Sequence, residues 1–318
     1  MRAPIIDGLQ INDWSREILL ECRAGGIDVV NATCAVWEEA EATHSAIDRL
    51  RALVAANADI ATLVSSVAEV DAAQAEGRVG ILLGFQNASP FEDRLELIAE
   101  FRARGVCVAQ LTYNRRNLIG GACYDATDLG LTAFGRAAIA ELNRVGVLID
   151  LSHVGDRTSR EAIEISEQPL AITHANPRSF VDVPRNKPDH VLQAVAERGG
   201  VIGVCLYPVV AGGATATLAD FGGMVVRLIE QVGIEHVGIG SDCTRGWDRS
   251  YLLYLRTGRH APLAGEDLPE WPAWPDWFSG PADFPVLRDC LEAHGCSADQ
   301  IAAVLGGNWR RLLGQVIG

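Results

Sequence analysis

Three things are scarce in this chain. Its eight cysteines (22, 34, 107, 123, 205, 243, 290 and 296) are scattered without CxxC spacing, which argues against a zinc-ribbon or thioredoxin-like motif. Several, such as Cys107 and Cys205, lie inside apolar runs, where a thiol behaves as a small buried hydrophobe. No apolar window is long enough to span a bilayer, and Met1-Arg2-Ala3-Pro4 leads into Ile5-Ile6-Asp7 without the apolar core of a signal peptide. A cytoplasmic protein with reduced thiols is the expectation. Positive charge is short as well. With 27 basic against 41 acidic residues the net charge is −14, which argues against nucleic acid or an anionic membrane as partner.

No Pro/Gly/Ser linker interrupts the 318 residues, so one domain over 1–318 is expected. No GxGxxG fingerprint follows the first apolar run, which weakens a dinucleotide-binding fold. What is present is a regular alternation. Apolar, β-branched runs at 5–6, 27–33, 79–85, 106–111, 147–152, 170–173, 201–204 and 237–241 predict eight strands. Helical patterns at 14–24, 35–56, 89–104, 133–144, 157–166, 189–198 and 218–232 fall between them. Continuous rather than alternating apolar strands mean burial on both faces, hence a parallel sheet covered by helices. Eight such units predict an α/β fold of the (β/α)8 TIM-barrel type. Beyond the last strand, a Trp/Pro-rich loop near 265–282 reads either as a stiff surface loop or as an apolar lid or oligomer contact. The segment 297–318 predicts a closing helix.

Three runs end in chemistry-bearing side chains: His153, His174 and Asp242. One such residue would be explained by loop backbone that satisfies it. Three in register point to the carboxyl-terminal mouth of a barrel, where metal sites and catalytic groups collect.

With these residues placed, the chain resembles the renal or membrane dipeptidase family of zinc hydrolases, in the amidohydrolase superfamily. The stretches that carry the resemblance are Ile149-Asp150-Leu151-Ser152-His153, Thr173-His174-Ala175-Asn176, Arg185-Asn186-Lys187-Pro188-Asp189 and His236-Val237-Gly238-Ile239-Gly240-Ser241-Asp242. Leu305-Gly306-Gly307-Asn308-Trp309-Arg310 and, with one change, Leu111-Thr112-Tyr113-Asn114 add to them. The resemblance implies a two-zinc site that activates water, with His153 and His174 holding one metal and Asp242 handling the proton. It implies Arg185 as a two-pronged clamp on the substrate's carboxylate, a geometry lysine does not reproduce.

The departures from the pattern are concentrated at one metal. The family's first strand carries Asp-Gly-His-x-Asp; here Asp7-Gly8-Leu9-Gln10-Ile11 puts Leu9 and Ile11 in the ligand places. Gln86 stands where a bridging glutamate is expected, and Tyr113 where a histidine would steady the oxyanion. At most one zinc is therefore expected, on His153 and His174 with help from Gln86, Asp242 or water, and an empty site is an alternative.

The expected function is a dipeptidase-like metallohydrolase for a dipeptide or small carboxylated amide. The alternatives are a lyase, isomerase or decarboxylase that uses His153, His174 and Asp242 without metal, and a non-catalytic protein that keeps Arg185 to bind a carboxylate. Asn114 and Arg116 are candidate substrate contacts. His236 is expected to be structural, and His44, His190, His260 and His294 to be surface groups. Cys34 and Cys243 end strands near the site but lack a partnered base. A homodimer is the oligomeric state the resemblance suggests.

Overall fold

Eight parallel strands close into a ring in the computed structural model, which describes residues 2–258 and 268–318. The ring runs β1 (Ile6–Gln10), β2 (Val29–Ala35), β4 (Val79–Phe85), β5 (Val106–Gln110), β6 (Leu148–Asp150), β7 (Ala171–Ile172), β8 (Val201–Val204) and β9 (Val237–Ile239), then back to β1. These are the eight runs expected from the sequence, and the fold is the (β/α)8 barrel. A ninth strand, β3 (Ala61–Val64), was not expected. It lies outside the ring on the amino-terminal half of β4, pairing Ala61 with Val79 through Val64 with Leu82. The carboxyl-terminal half of β4 pairs instead with β5, from Leu83 to Phe85. The reason β3 escaped notice is its pattern: four residues, two of them only half-buried, give too little apolar signal.

The ring is covered by α1 (Arg16–Ala24), α2 (Ala40–Ala56), α3 (Val67–Ala75), α4 (Glu96–Ala103), α5 (Ala133–Val145), α6 (Asp156–Ile165), α7 (Asp189–Glu197) and α9 (Leu218–Val232). A single turn, α8 (Pro208–Ala211), follows β8, and α10 (Arg249–Thr257) follows β9. Starts are set by side-chain caps: Thr132 Oγ1 accepts from Gly135 N ahead of α5, and Thr217 with Asp220 forms a reciprocal capping box ahead of α9. α2 begins at Ala40 rather than 35, since β2 continues through Ala35. α4 begins at Glu96 rather than 89, because Pro90 sits in a short 3-10 turn. α3 was missed because it is alanine-rich and buries only Val70 and Ala73.

The segment after β9 adds α11 (Pro285–Ala293), α12 (Ala298–Ala302) and α13 (Asn308–Val316). The expected closing helix over 297–318 is thus two helices, broken at Gly306. A side chain there would meet Pro4 O at 2.1 Å, so the chain can turn against the first strand only as glycine. α13 plugs the amino-terminal end of the barrel. Trp309, 2% exposed, is surrounded by Ile6, Val29, Leu82, Val108, Leu148 and Val201, and its Nε1 donates to Ile239 O at 2.9 Å. Burying an indole of this kind is worth roughly 4–6 kcal/mol from its apolar area. Asn308 Nδ2 donates to Ile234 O and Val237 O, both at 2.7 Å, and so ties α13 to β9.

Candidate active site

The strand ends that matter are built on two buried carboxylates. At β6, Asp150 accepts from Ser152 N (2.9 Å), Ser152 Oγ (2.5 Å), Thr173 N (2.9 Å) and Thr173 Oγ1 (2.6 Å). Four donors on one buried carboxylate fix the backbone of both strand ends, and His153 and His174 follow directly from them. Ser152 Oγ in turn accepts from His174 N at 3.0 Å.

The two imidazoles face each other with Nε2 atoms 3.0 Å apart. Their outer nitrogens decide what those Nε2 atoms carry. His153 Nδ1 lies 2.8 Å from Asn114 Oδ1, a carbonyl oxygen that can only accept. His174 Nδ1 lies 2.7 Å from Thr173 Oγ1, whose own proton is donated to Asp150. Both Nδ1 atoms therefore donate, and both Nε2 atoms present lone pairs to one point. Burial and the nearby Arg185 hold both imidazoles well below the usual histidine range, so they remain neutral at physiological pH. Two converging lone pairs repel unless a cation or a shared proton lies between them, and a hydrogen bond that fixes the outer tautomer is the common setting of a metal-ligating histidine.

The pair's spacing and polarity fit an ion held between the two Nε2 atoms. Leu9 and Ile11, both buried, stand at the end of β1, and Ile11 lines the cavity. Gln86, at the end of β4, donates from Nε2 to Thr33 Oγ1 at 3.0 Å, and it is not among the residues lining the cavity. Among the described residues no group of three or more His, Cys, Asp or Glu side chains is arranged to hold a metal.

A cavity of about 430 Å³ opens above His153. Asp242 reaches it from the end of β9 in a left-handed conformation (φ +57°) that its backbone N–H secures by donating to Leu9 O at 3.0 Å. Its carboxylate differs from that of Asp150. Among the described residues its hydrogen-bonding contact is the Cys205 thiol, 4.0 Å away. Burial pushes Asp242 up to about 7, with Arg185 opposing the shift. Tyr113 stacks on His153 with ring centroids 4.2 Å apart, and burial pushes its phenol well above the ordinary tyrosine range, so it stays a donor.

Arg185 is 5% exposed and donates from Nη1 to Ser152 O (2.6 Å) and from Nη2 to His174 O (2.7 Å). It lines the cavity, yet both terminal nitrogens are already anchored to the strand ends, leaving one further N–H on each for a ligand. Lys187, fully buried, donates to Val154 O, and burial lowers it to about 8. Arg116 does not line the cavity. Arg116 is exposed and its backbone N–H donates to Asp125 Oδ1, whereas Arg115 lines the cavity. The tight turn at Asn114 (φ +57°), with Arg115 N donating to Tyr113 O, exchanges the two.

Residues not anticipated complete the wall: Tyr124, Tyr207, Thr244, Leu252, Leu255 and Arg256. Trp271 of the Trp/Pro stretch joins them, whereas Trp274 packs on Tyr207 and Trp277 on Phe221; positions 265–267 lie outside the described residues. His44 and His294 are half-buried rather than surface groups: His44 stacks on Phe101 and His294 Nδ1 bonds Cys290 O. His190 is exposed, His236 bonds Gly200 O at 2.8 Å, and His260 lies outside the described residues. Burial pushes the thiols of Cys34 and Cys243 up, so neither is a ready nucleophile.

No helix among the described residues is long and apolar enough to cross a membrane. Over its whole length the fold is similar to a crystal structure of an amidohydrolase from Pseudomonas aeruginosa, with 36% identity, 99% of this chain and 97% of that one covered, and a TM-score of 0.94. A metallopeptidase from Rhodobacter sphaeroides, solved with a phosphinate mimic of the dipeptide L-Ala-D-Ala, shares the fold at 19% identity, with a TM-score of 0.82 over 99% of this chain and 100% of that one. Dipeptidase aclJ from Aspergillus oryzae is 28% identical over 287 residues, 88% of this chain. The chain spans 62% of that relative's length. Residues 16–250 match the profile described as membrane dipeptidase, peptidase family M19. On a match of that extent, the chain belongs to the membrane dipeptidase family.

Proposed function

We propose that the protein hydrolyses a small amide with a free carboxylate, a dipeptide or an N-acyl amino acid, with at most one zinc ion, held by His153 and His174. The observation that carries this reading is the hydrogen-bond polarity of the histidine pair, which turns two neutral Nε2 lone pairs on one point 3.0 Å apart. When bound, such an ion supplies Lewis-acid polarisation and makes hydroxide available near neutral pH.

The remaining roles belong to the chain itself. Arg185 offers its two free N–H groups to the substrate carboxylate from a position fixed by Ser152 O and His174 O. Asp242, poised at about 7, takes the proton of the attacking water and delivers it to the departing amine. Tyr113 donates to the oxygen on which negative charge grows. Asn114 orients His153 and is a positioning residue. A cytoplasmic setting fits the eight free cysteines, all of whose thiols are raised by burial.

A second reading draws on the same unbraced carboxylate: Asp242 at about 7 would serve proton abstraction in a lyase or isomerase equally well. Elemental analysis of protein purified without added metal, run beside a panel of dipeptides and N-acyl amino acids, separates the two. Up to one equivalent of zinc with amide cleavage supports the hydrolase. Two full equivalents overturn the one-ion site, and turnover of no amide with or without zinc overturns hydrolysis.

A further inference from the structure

The cavity's charge runs against that of the molecule. Acidic residues outnumber basic ones 41 to 27 over the chain, yet the walls of this cavity carry three arginines and one carboxylate. Even with that carboxylate ionised, cationic side chains outnumber anionic ones three to one in this space. Arg185 sits at the floor, with its known anchors. The other two, Arg115 and Arg256, sit at the rim and have no hydrogen bond or ion pair from their side chains to any described residue. Most of the other arginines whose exposed or half-exposed heads are described are paired: Arg16 with Asp59, Arg78 with Glu76, Arg136 and Arg157 with Glu161, Arg245 with Glu21, Arg310 with Asp71.

The two rim arginines come from different elements. Arg115 is placed by the tight turn after Tyr113, and Arg256 by the last turn of α10, whose Leu252 and Leu255 close the cavity beside it. Between floor and rim stands Tyr124, whose phenol feels both Arg185 and Arg256, so the guanidinium groups act on one shared space rather than on separate surfaces. An amide that placed only one carboxylate on Arg185 would leave the charges of Arg115 and Arg256 in the same cavity without a ligand counter-charge.

We propose that the substrate carries a second carboxylate, on the acyl side of the scissile amide, which is bound at the rim by Arg115 and Arg256. The substrate class is then a dianionic amide: an N-dicarboxyl amino acid, or a dipeptide with an acidic amino-terminal side chain. This rests on the reading of Arg185 as the site of the first carboxylate. It also gives specificity a cause, since a neutral partner leaves the rim charges uncompensated.

The test is calorimetric binding at low ionic strength, before turnover, of N-succinylglycine and of its amide N-succinamoylglycine, which differs only in the charge of the distal group. Wild-type protein binds the dianion on the order of ten-fold tighter, and high salt narrows the gap. In the double variant Arg115→Met, Arg256→Met the ratio falls to about two-fold or less. Because neither head is bonded to another described residue, thermal melts of the variant are expected to stay close to wild type, and Arg256→Lys to keep part of the preference. Equal binding of the two probes by the wild type, or a preference that survives the double variant, overturns the proposal. Arg185→Lys separates the two layers. If both probes bind equally and both weaken in that variant, the first carboxylate site stands and the rim proposal alone falls. If neither probe depends on Arg185, both fall together.

Discussion

Two arcs of the barrel mouth use the same construction for different ends. On one, Asp150 collects four donors from Ser152 and Thr173 and so aims His153 and His174. On the other, Asp7 collects Ser241 N (2.7 Å), Ser241 Oγ (2.5 Å), Gln10 Nε2 (2.7 Å) and a longer contact from Leu9 N (3.4 Å), and aims Leu9 and Ile11. The brace is intact in both places. What differs is the side chain it presents, two imidazoles against two hydrocarbons. The same brace therefore holds strand ends that present hydrocarbon and strand ends that present imidazole, so the carboxylates that fix the scaffold are separate from the side chains placed for chemistry.

The largest effect expected comes from removing a brace. Asp150→Ala leaves the Ser152 and Thr173 donors buried without an acceptor and should cost roughly 3–5 kcal/mol in denaturant unfolding, and it should abolish metal binding. Asp7→Ala should cost a similar amount in unfolding while leaving metal content unchanged. If Asp7→Ala also empties the site, the two arcs are not separable.

Next comes conversion of one arc into the other. Leu9→His, Ile11→Asp and Gln86→Glu together should raise zinc from at most one to two equivalents by elemental analysis and increase dipeptide cleavage. Without zinc the same variant should be a few kcal/mol less stable, because polar groups replace apolar ones in a buried place, at about 1–3 kcal/mol each. Zinc-independent stability would show that the arc tolerates polarity for another reason.

Arg185→Lys should weaken the binding of carboxylated ligands by about 1.5–3 kcal/mol, as expected for loss of a charge-assisted contact, with kcat changed less than KM. Unchanged KM would remove Arg185 from the carboxylate site.

The smallest effect is a pH dependence that distinguishes the braced carboxylates from the unbraced one. Asp242 is raised to about 7, so as a base it should give a rate that climbs through pH 7, and Asp242→Asn should remove that inflection. The stability sign is opposite to that of a salt-bridged acid. The folded state binds a proton between the ordinary carboxyl range and about 7 that the unfolded state has released, so stability falls as pH rises across that window. Asp242→Asn should flatten this slope. Asp7, raised to about 6, contributes a further slope over a narrower range that the variant leaves in place.

The sequence shows the parts whose reason is local. Eight runs buried on both faces announced the barrel, and His153, His174 and Asp242 stood at run ends where the register could be counted. β3 and α3 did not stand out, because a half-buried tetrapeptide and an alanine-rich helix carry little periodic contrast. The rim was illegible for another reason. Arg256, Leu255 and Tyr207 approach the site only because α8 and α10 fold back over the mouth, and no spacing along the chain encodes that return. The choice between Arg115 and Arg116 turned on one left-handed residue, Asn114, whose conformation follows from its tertiary surroundings. Gln86 shows the converse. Its position in the motif suggests a ligand, and the structure adds what the sequence does not show, a bond from its amide nitrogen to Thr33 Oγ1.

The indole of Trp309 has a consequence for how the chain reaches its native state. Side chains at Gly8, Gly203 and Gly238 would lie 2.5, 2.9 and 2.5 Å from that ring, so β1, β8 and β9 are each shaped around a residue that follows them in the chain. The seam between β1 and β9 has one strand pairing, Asp7 with Ile239, and is reinforced by the bridge from Gln10 to Cys243, by the two bonds of Ser241 to Asp7 and by Asp242 N on Leu9 O. During synthesis, then, a nascent chain that has emerged only through β9 has all eight staves of the barrel and no bung. Its floor is open along the glycines. The floor can be filled only once translation has delivered residue 309, so packing of the barrel's lower layer is expected to come late in synthesis, after the staves themselves have been made.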